Sequence, residues 1–412
     1  MTTESAVEPA VPTVVLDPTG ADHHGEAARM RELGPVVRIV LPGDVPAWAV
    51  TRHELVAELV RDPRVSKDWR NWTEIKEGRI GADWPLIGMV AVTNMVTADG
   101  AEHHRLRRLV TQTLTPARVQ ALEPRVTEIV SGLLDGLPGH AGADGVVDVR
   151  AHLAVEVPMQ VICELTGVPA AERPRLRELV DSIFRTTTAP EEVLRVQADI
   201  FRLLGDLIAL RTAEPGEDLT SALIAARAAD PEALSDEELA GTLWLMLAAG
   251  HETTLNLIAN AVRALLTHPG QRALVERGEA GWDAVVEETL RWDAPIGNFM
   301  ARYPLEDLTI EGVTIPAGDA VLAPYSGVGR DEAQHGPDAA VFDLTRDQAR
   351  NLAFGGGPHI CLGAPLARME ARIALEGLFT RYPGLALAVP AQDLVPLESF
   401  FSNGPQTLPV TL

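Results

Sequence analysis

Phe354-Gly355-Gly356-Gly357-Pro358-His359-Ile360-Cys361-Leu362-Gly363 is the run that decides how this chain of 412 residues folds. Cys361 is one of only two cysteines. The spacing Phe-x-x-Gly-x-His-x-Cys-x-Gly fixes six positions, and chance alone gives it about once in 10⁵ chains of this length. Downstream, Ala364 to Leu375 reads as a helix, so Cys361 precedes a helix N-terminus. The partial positive charge and free N–H groups there favour an anionic sulfur. Glycines 355–357 let the backbone approach a flat partner closely. Cys163 lies in the apolar helical run Val161-Ile162-Cys163-Glu164-Leu165 and reads as a buried structural cysteine.

The Cys361 run resembles the haem-binding loop of the cytochromes P-450. The resemblance makes Cys361 the axial ligand of haem iron, with Phe354 and Gly363 against the cofactor. A thiolate ligand pushes electron density that favours O–O cleavage. It implies haem b, O2 as co-substrate and a mainly α fold with a smaller β region, the haem lying between a long central helix and the helix after Cys361.

Composition narrows the setting. Apolar residues make up 46% of the chain and the formal net charge is −23. Lys67 and Lys76 are the only lysines. Nucleic-acid binding is disfavoured. Two distant cysteines point to a reducing compartment without disulfides. No basic-then-apolar leader is seen, and the apolar stretch Leu243 to Ala249 is too short for a bilayer. A cytoplasmic protein without membrane insertion is expected.

Residues 1–25 read as a flexible arm, followed by one domain over 26–412. Val36 to Thr51 alternates around Gly43-Asp44 as a β-hairpin. From Arg52 to about Leu290 the pattern is helical, interrupted by loops at 66–98, 137–147, 186–190 and 214–219. Short strands follow at 308–315 and 320–322, turning at Glu311-Gly312. The β-rich part is expected from segments 36–51, 296–325 and 385–412.

Ser235-Asp236-Glu237-Glu238 forms a capping box, and the helical pattern runs on to Thr267, before Pro269-Gly270. Roughly 30 residues give a helix of about 48 Å. In its middle stand Ala249-Gly250-His251-Glu252-Thr253-Thr254. Polar residues in an apolar helix need a reason. This run resembles the family's oxygen-activation motif, which implies that Thr253 hydrogen-bonds the dioxygen co-substrate. Glu252 is then the relay of protons from solvent, while Ala249 and Gly250 leave room over the iron. A threonine bonded to the preceding turn and a solvated glutamate are the plain alternative.

Haem carries two propionates, which need cations. His103 and Arg107, four apart in Asp99 to Arg108, share one helix face. The resemblance adds His359 and Arg302. Glu288-Thr289-Leu290-Arg291 matches the family's Glu-x-x-Arg, a buried structural pair that braces the Cys loop. Relatives often carry an Arg directly before Phe342, where this chain has Val341. Arg346 is the nearest substitute as a third partner.

By family position the substrate pocket is walled by Val90, Val92, Asn94 and Met95, by Leu245 and Ala248, by Gly297, Asn298 and Phe299, and by Phe400 and Phe401. Most are apolar and suit a lipophilic substrate. Phe184 and Thr186 to Thr188 fall in a mobile lid. With no flavin or dinucleotide domain, electrons are expected from a separate ferredoxin and its NAD(P)H-dependent reductase. Arg105, Arg108, Arg368 and Arg372 are the docking patch expected for the ferredoxin. A monomeric monooxygenase is implied. A peroxide-driven enzyme of the same fold usually carries Arg-Pro at the acid–alcohol position, and a haem-binding sensor needs no such pair.

Overall fold

Ser235 caps the central helix from both sides. Its hydroxyl accepts from Glu238 N at 3.1 Å, and Ser235 N donates to Glu238 Oε2 at 2.8 Å. The helix that follows, Asp236–Thr267, is 32 residues long and crosses the molecule. The computed structural model describes residues 11–186, 189–230, 234–347 and 350–412.

Nine helices carry the site: α1 (His23–Leu33), α2 (Gly100–Thr113), α3 (Glu123–Gly136), α4 (Glu156–Thr166), α5 (Arg173–Phe184), α6 (Pro190–Ala213), α7 (Asp236–Thr267), α8 (Trp282–Trp292) and α9 (Ala364–Arg381). α7 packs against α4, α8 and α9, and α9 also packs against α3. Leu247, Leu257, Ala261 and Val262 of α7 are buried with Ala374 and Leu378 of α9 in one apolar core. A π-helical turn, Arg150–Ala154, leads into α4.

The strands are β1 (Thr13–Val15), β2 (Val36–Leu41), β3 (Val45–Val50), β4 (Val65–Ser66), β5 (Val146–Asp148), β6 (Phe299–Pro304), β7 (Leu308–Ile310), β8 (Val313–Ile315), β9 (Val321–Ala323), β10 (Ala386–Leu387) and β11 (Pro409–Thr411). The main sheet has the order β1-β2-β3-β9-β6-β4. β2 and β3 form the expected hairpin, with Leu41 opposite Val45 and both Gly43 and Asp44 at positive φ. The two-residue turn Glu311-Gly312 closes β7 on β8, again at positive φ. Strands from both ends of the chain share sheets, as expected of an α-rich fold with a smaller β region.

Three expectations need correction. The arm expected over 1–25 is folded from residue 13: β1 pairs in parallel with β2, and α1 begins at His23. Apolar Val14 supplies the contact, packing against the core. Within 385–412 only β10 and β11 are strands; between them Pro396 and Pro405 make no more than an isolated bridge. Val146–Asp148, read as loop, is strand β5 beside β11.

His23 joins the two ends of the chain. Its Nε2 lies 3.1 Å from both Ser399 O and Ser402 O, so Nε2 carries the proton and donates to these two carbonyls. Nδ1 then accepts from Asn298 Nδ2 at 3.4 Å. Nearby, Thr186 Oγ1 donates to Pro18 O and accepts from Phe400 N, while Ser399 Oγ donates to Phe184 O. The start of the expected lid is thereby tied to residues near both chain ends. Thr187 and Thr188 lie outside the described residues.

Candidate active site

The loop before α9 is shaped by close approach. Cys361 N donates to Phe354 O at 3.0 Å and Gly355 N to Leu352 O at 2.7 Å. Gly355 and Gly357 have φ of +70° and +64°. A Cβ on Gly356 would lie 2.8 Å from Val60 Cγ2, and one on Gly357 would lie 2.5 Å from Val60 O. Val60, the residue after the short helix His53–Leu59, therefore leaves these two glycines no room for a side chain. Cys361 is exposed, three residues before the first residue of α9. Its accessible surface lies on one side; the protein packed around the other pushes the thiol pKa up, while N–H groups of Gly363 and Ala364 and the charges of Arg107 and Arg368 pull it down. Arg368 stacks over the Phe354 ring at 4.5 Å.

α7 carries the second group of candidate residues. Ala249 is exposed in the middle of a helix whose neighbours are largely buried. Gly250 does a different job from the one expected: a Cβ there would lie 2.8 Å from Ile162 Cδ1 of α4. Only Ala249 faces the open side. Thr253 Oγ1 donates to Ala249 O at 2.8 Å, the bond to the preceding turn. Glu252 is 3% exposed and accepts from Asn256 Nδ2 at 2.8 Å. Burial raises its pKa from 4.5 to about 7, against the opposing pull of Arg150 and Asn256. Burial holds the neighbouring His251 neutral, with its pKa at about 3.

A cluster of cations gathers at one end of the Cys loop. His103 is buried with its ring 4.2 Å from that of His359, and its Nε2 has no protein partner. Arg107 Nη2 donates to Ile360 O at 2.7 Å. Arg302 is buried; Nη2 donates to Tyr325 Oη at 3.3 Å and Nη1 has no partner among the described residues. Lys67, which the sequence reading passed over, is buried beside them with Nζ 4.6 Å from the Phe299 ring centre. Burial lowers its pKa well below the usual lysine range, and Arg302 adds to the effect. The carboxylate acting among these groups is Asp99. It takes bonds from Ser66 Oγ and Lys67 N and lies 3.6 Å from His359 Nε2. Burial alone would raise the Asp99 pKa, but His359, Ser66 and Lys67 N hold it down at about 2.

A match to the family model described as Cytochrome P450 covers residues 28–209, 208–276 and 282–387. This chain belongs to the cytochrome P450 family. It is similar to the 2-hydroxy-5-methyl-1-naphthoate 7-hydroxylase of Streptomyces carzinostaticus, 40% identical over 96% of this chain and 97% of that one. It is also similar to the vitamin D(3) 25-hydroxylase of Pseudonocardia autotrophica, 42% identical over 94% of this chain and 93% of that one. Among solved structures, CYP154C4 from Streptomyces sp. W2061 matches with a TM-score of 0.93 and 45% identity, covering 97% of each chain. The protein is a cytochrome P450 monooxygenase, of a family that uses haem and O2.

The residues of this P450 fit that cofactor. Buried Lys67 and Arg302, with the unpartnered nitrogens of His103 and Arg302, form a site short of anions. Burial and neighbouring positive charge are costly unless an anion is supplied, and two propionates would supply it. Cys361 offers the sulfur, with α9 N–H groups behind it.

The Glu-x-x-Arg pair of this P450 is buried on α8. Arg291 Nε and Nη2 donate to the two oxygens of Glu288 at 2.7 and 2.6 Å. Arg291 also holds Gly329 O, Ala339 O and Val341 O, and Glu288 accepts from Asp343 N. These partners lie upstream of the Cys loop, which the pair was expected to brace. Glu287, the residue before it, spans the loop instead, bonding Asn351 and Arg368 on its two sides. Arg346 stands 3.4 Å from Glu288, and Val341 contributes its carbonyl while its side chain is exposed.

The expected pocket walls divide. Val90, Met95, Ala248, Phe400 and Phe401 are buried apolar side chains, and Leu245 and Phe299 are half-buried. Asn94 is instead fastened to α7 through Nδ2 and Gly241 O, and Val92 O accepts from Trp69 Nε1. Asn298 serves His23, and Gly297 has no room for a side chain because that ring fills it. The expected docking arginines are engaged: Arg105 with Glu238, Arg368 with Glu287, Arg372 with Glu123. Arg108 is exposed. Among the described residues, no helix is long and apolar enough to cross a membrane.

Proposed function

We propose that this P450 hydroxylates a lipophilic small molecule. On this reading it uses haem b and electrons passed from NAD(P)H through a ferredoxin reductase and a ferredoxin. It acts as a cytoplasmic monomer with one domain over residues 26–412. The observation that carries the reading is Glu252: a buried carboxyl, with its pKa raised to about 7, one residue before Thr253, whose hydroxyl bonds back to Ala249 in the middle of α7.

Bound haem supplies the iron at which O2 is activated. Cys361 would ligate it, and Lys67, His103, Arg107, Arg302 and His359 would hold its propionates. Glu252 can hold and release a proton near neutral pH, which a solvated glutamate cannot do as well. Thr253 offers a hydroxyl whose present bond to Ala249 O can be exchanged for one to a substrate oxygen. The apolar Val90, Met95, Leu245 and Ala248 exclude water and accept an apolar ligand. Ring compounds such as a naphthoate or a vitamin D are the kind of substrate suggested by the named relatives.

Carbon monoxide binding to the reduced protein reports the thiolate ligand. A screen of ring compounds for the low-to-high-spin change then finds the substrate. Product formed with ferredoxin, reductase and NADPH supports the reading; product formed only with added peroxide overturns it.

A further inference from the structure

Glu252, Asn256, Asn260 and Arg263 are polar side chains at helical spacing in the largely apolar second half of α7. Spacings of four, four and three residues place them in one row along the helix. The row is about 16 Å long. Glu252, Asn256 and Asn260 are buried. The row lies against the C-terminal loop. Asn260 Nδ2 donates to Asn403 O at 2.9 Å and to Asp293 O at 3.0 Å. A Cβ on Gly404 would lie 2.7 Å from Asn256 Oδ1. The Ser402 hydroxyl reaches the Glu252 carboxyl.

The amide donors in this row are used, but acceptors are left over. Asn256 Oδ1 and Asn260 Oδ1 are buried and have no hydrogen-bond partner among the described residues. Each such atom costs about 1–3 kcal/mol if nothing satisfies it. Bound water is the usual partner of buried polar atoms of this kind. The row ends in a half-open cavity of about 310 Å³, lined by exposed Ala21 and by His24, Arg263, Arg330, Ser402 and Gly404.

We propose that this row holds a file of water that carries protons from the cavity to Glu252. The inference rests on the reading of Glu252 as the proton donor of the monooxygenase. Asparagine amides do not ionise, so the charge moves only between waters and the carboxyl. Each step passes one proton to the next water, and the last water protonates the ionised carboxyl; no electron moves. Asp22, His24, Arg263, Asp293 and Arg330 surround the mouth. Arg150, from the π-helical turn, and Asp181, on α5, act on Glu252 from the other side and mark the competing entry route.

The test uses the ferric holoenzyme at rest. Infrared spectroscopy follows hydrogen–deuterium exchange of the Glu252 carboxyl band, assigned by its loss in Glu252→Gln. Ala21→Trp obstructs the exposed mouth, and Asn256→Leu removes the middle acceptor. Each is expected to slow exchange about tenfold while the carbon monoxide spectrum is unchanged. Unchanged exchange in Ala21→Trp, or slowing in Asp181→Asn alone, overturns the proposal. If Glu252→Gln leaves product coupling intact, the donor reading fails by itself, whatever the exchange rates.

Discussion

Arg291 meets Glu288 through a two-pronged ion pair at 2.6 and 2.7 Å, with both side chains shut off from solvent. A pair this buried is costly to break from one side only. Glu288→Gln leaves the guanidinium without its counter-charge, and a loss of about 3–5 kcal/mol is expected. Urea unfolding of the holoenzyme measures it. A loss within the range of an exposed pair, under about 1 kcal/mol, would show that the backbone carbonyls alone hold Arg291.

Lys67 is the cation that fits the cofactor and carries no motif. Lys67→Met is expected to speed haem transfer to an acceptor apoprotein about tenfold, the worth of one charge-assisted hydrogen bond. Lys76→Met, at the exposed lysine, serves as the control. Equal transfer rates in the two variants would remove Lys67 from the cofactor's partners.

Thr253→Ala removes the hydroxyl and leaves the helix intact, because its one bond is to the preceding turn. Haem binding is expected to persist while electrons are diverted to peroxide. The readout is product and peroxide per NADPH, and unchanged product coupling counts against a role in oxygen activation.

For Glu252 the direction of the pH effect follows from its raised pKa. The acid form donates, and it disappears as pH rises through about 7. Turnover should therefore decline above neutrality. Glu252→Gln should lose this limb and turn over about 10²-fold more slowly. A pH profile that keeps the limb in the variant assigns it to another group.

Glu370 sits buried on α9 with Oε2 unpartnered, and burial raises its pKa from 4.5 to about 8. Between those values the folded state keeps a proton that the unfolded state has released. Stability from this group is therefore full below about pH 4.5 and falls as pH rises to about 8. Glu370→Gln should gain on the order of 3 kcal/mol at pH 8 and little at pH 5. Equal gains at both pH values would mean that Glu370 is paired in solution.

What the sequence made legible was local. Phe354 to Gly363 announces a cysteine before a helix, and Ser235 with Glu238 announces where α7 begins, because both signals lie within a few residues. What it hid was contact at long range. Lys67 reads as an ordinary surface lysine until β4 brings it beside Arg302, although its rarity in this chain was a usable signal. Gly250 and Gly356 looked like clearance for a cofactor, whereas Ile162 and Val60 are what they clear. Asn298 and Gly297 looked like pocket wall, and His23 claims both. Residues 13–25 looked loose because one short strand and one helix carry little pattern by themselves.

The bond from His23 to Ser399 spans 376 positions of sequence. A contact of that span closes a very large loop and is expected to form late. Ser402, which acts on the Glu252 carboxyl, must return to His23 from 379 positions away. α7 is complete in the growing chain long before that return can be made. The helix that carries the acid is thus made bare, and its cover arrives afterwards.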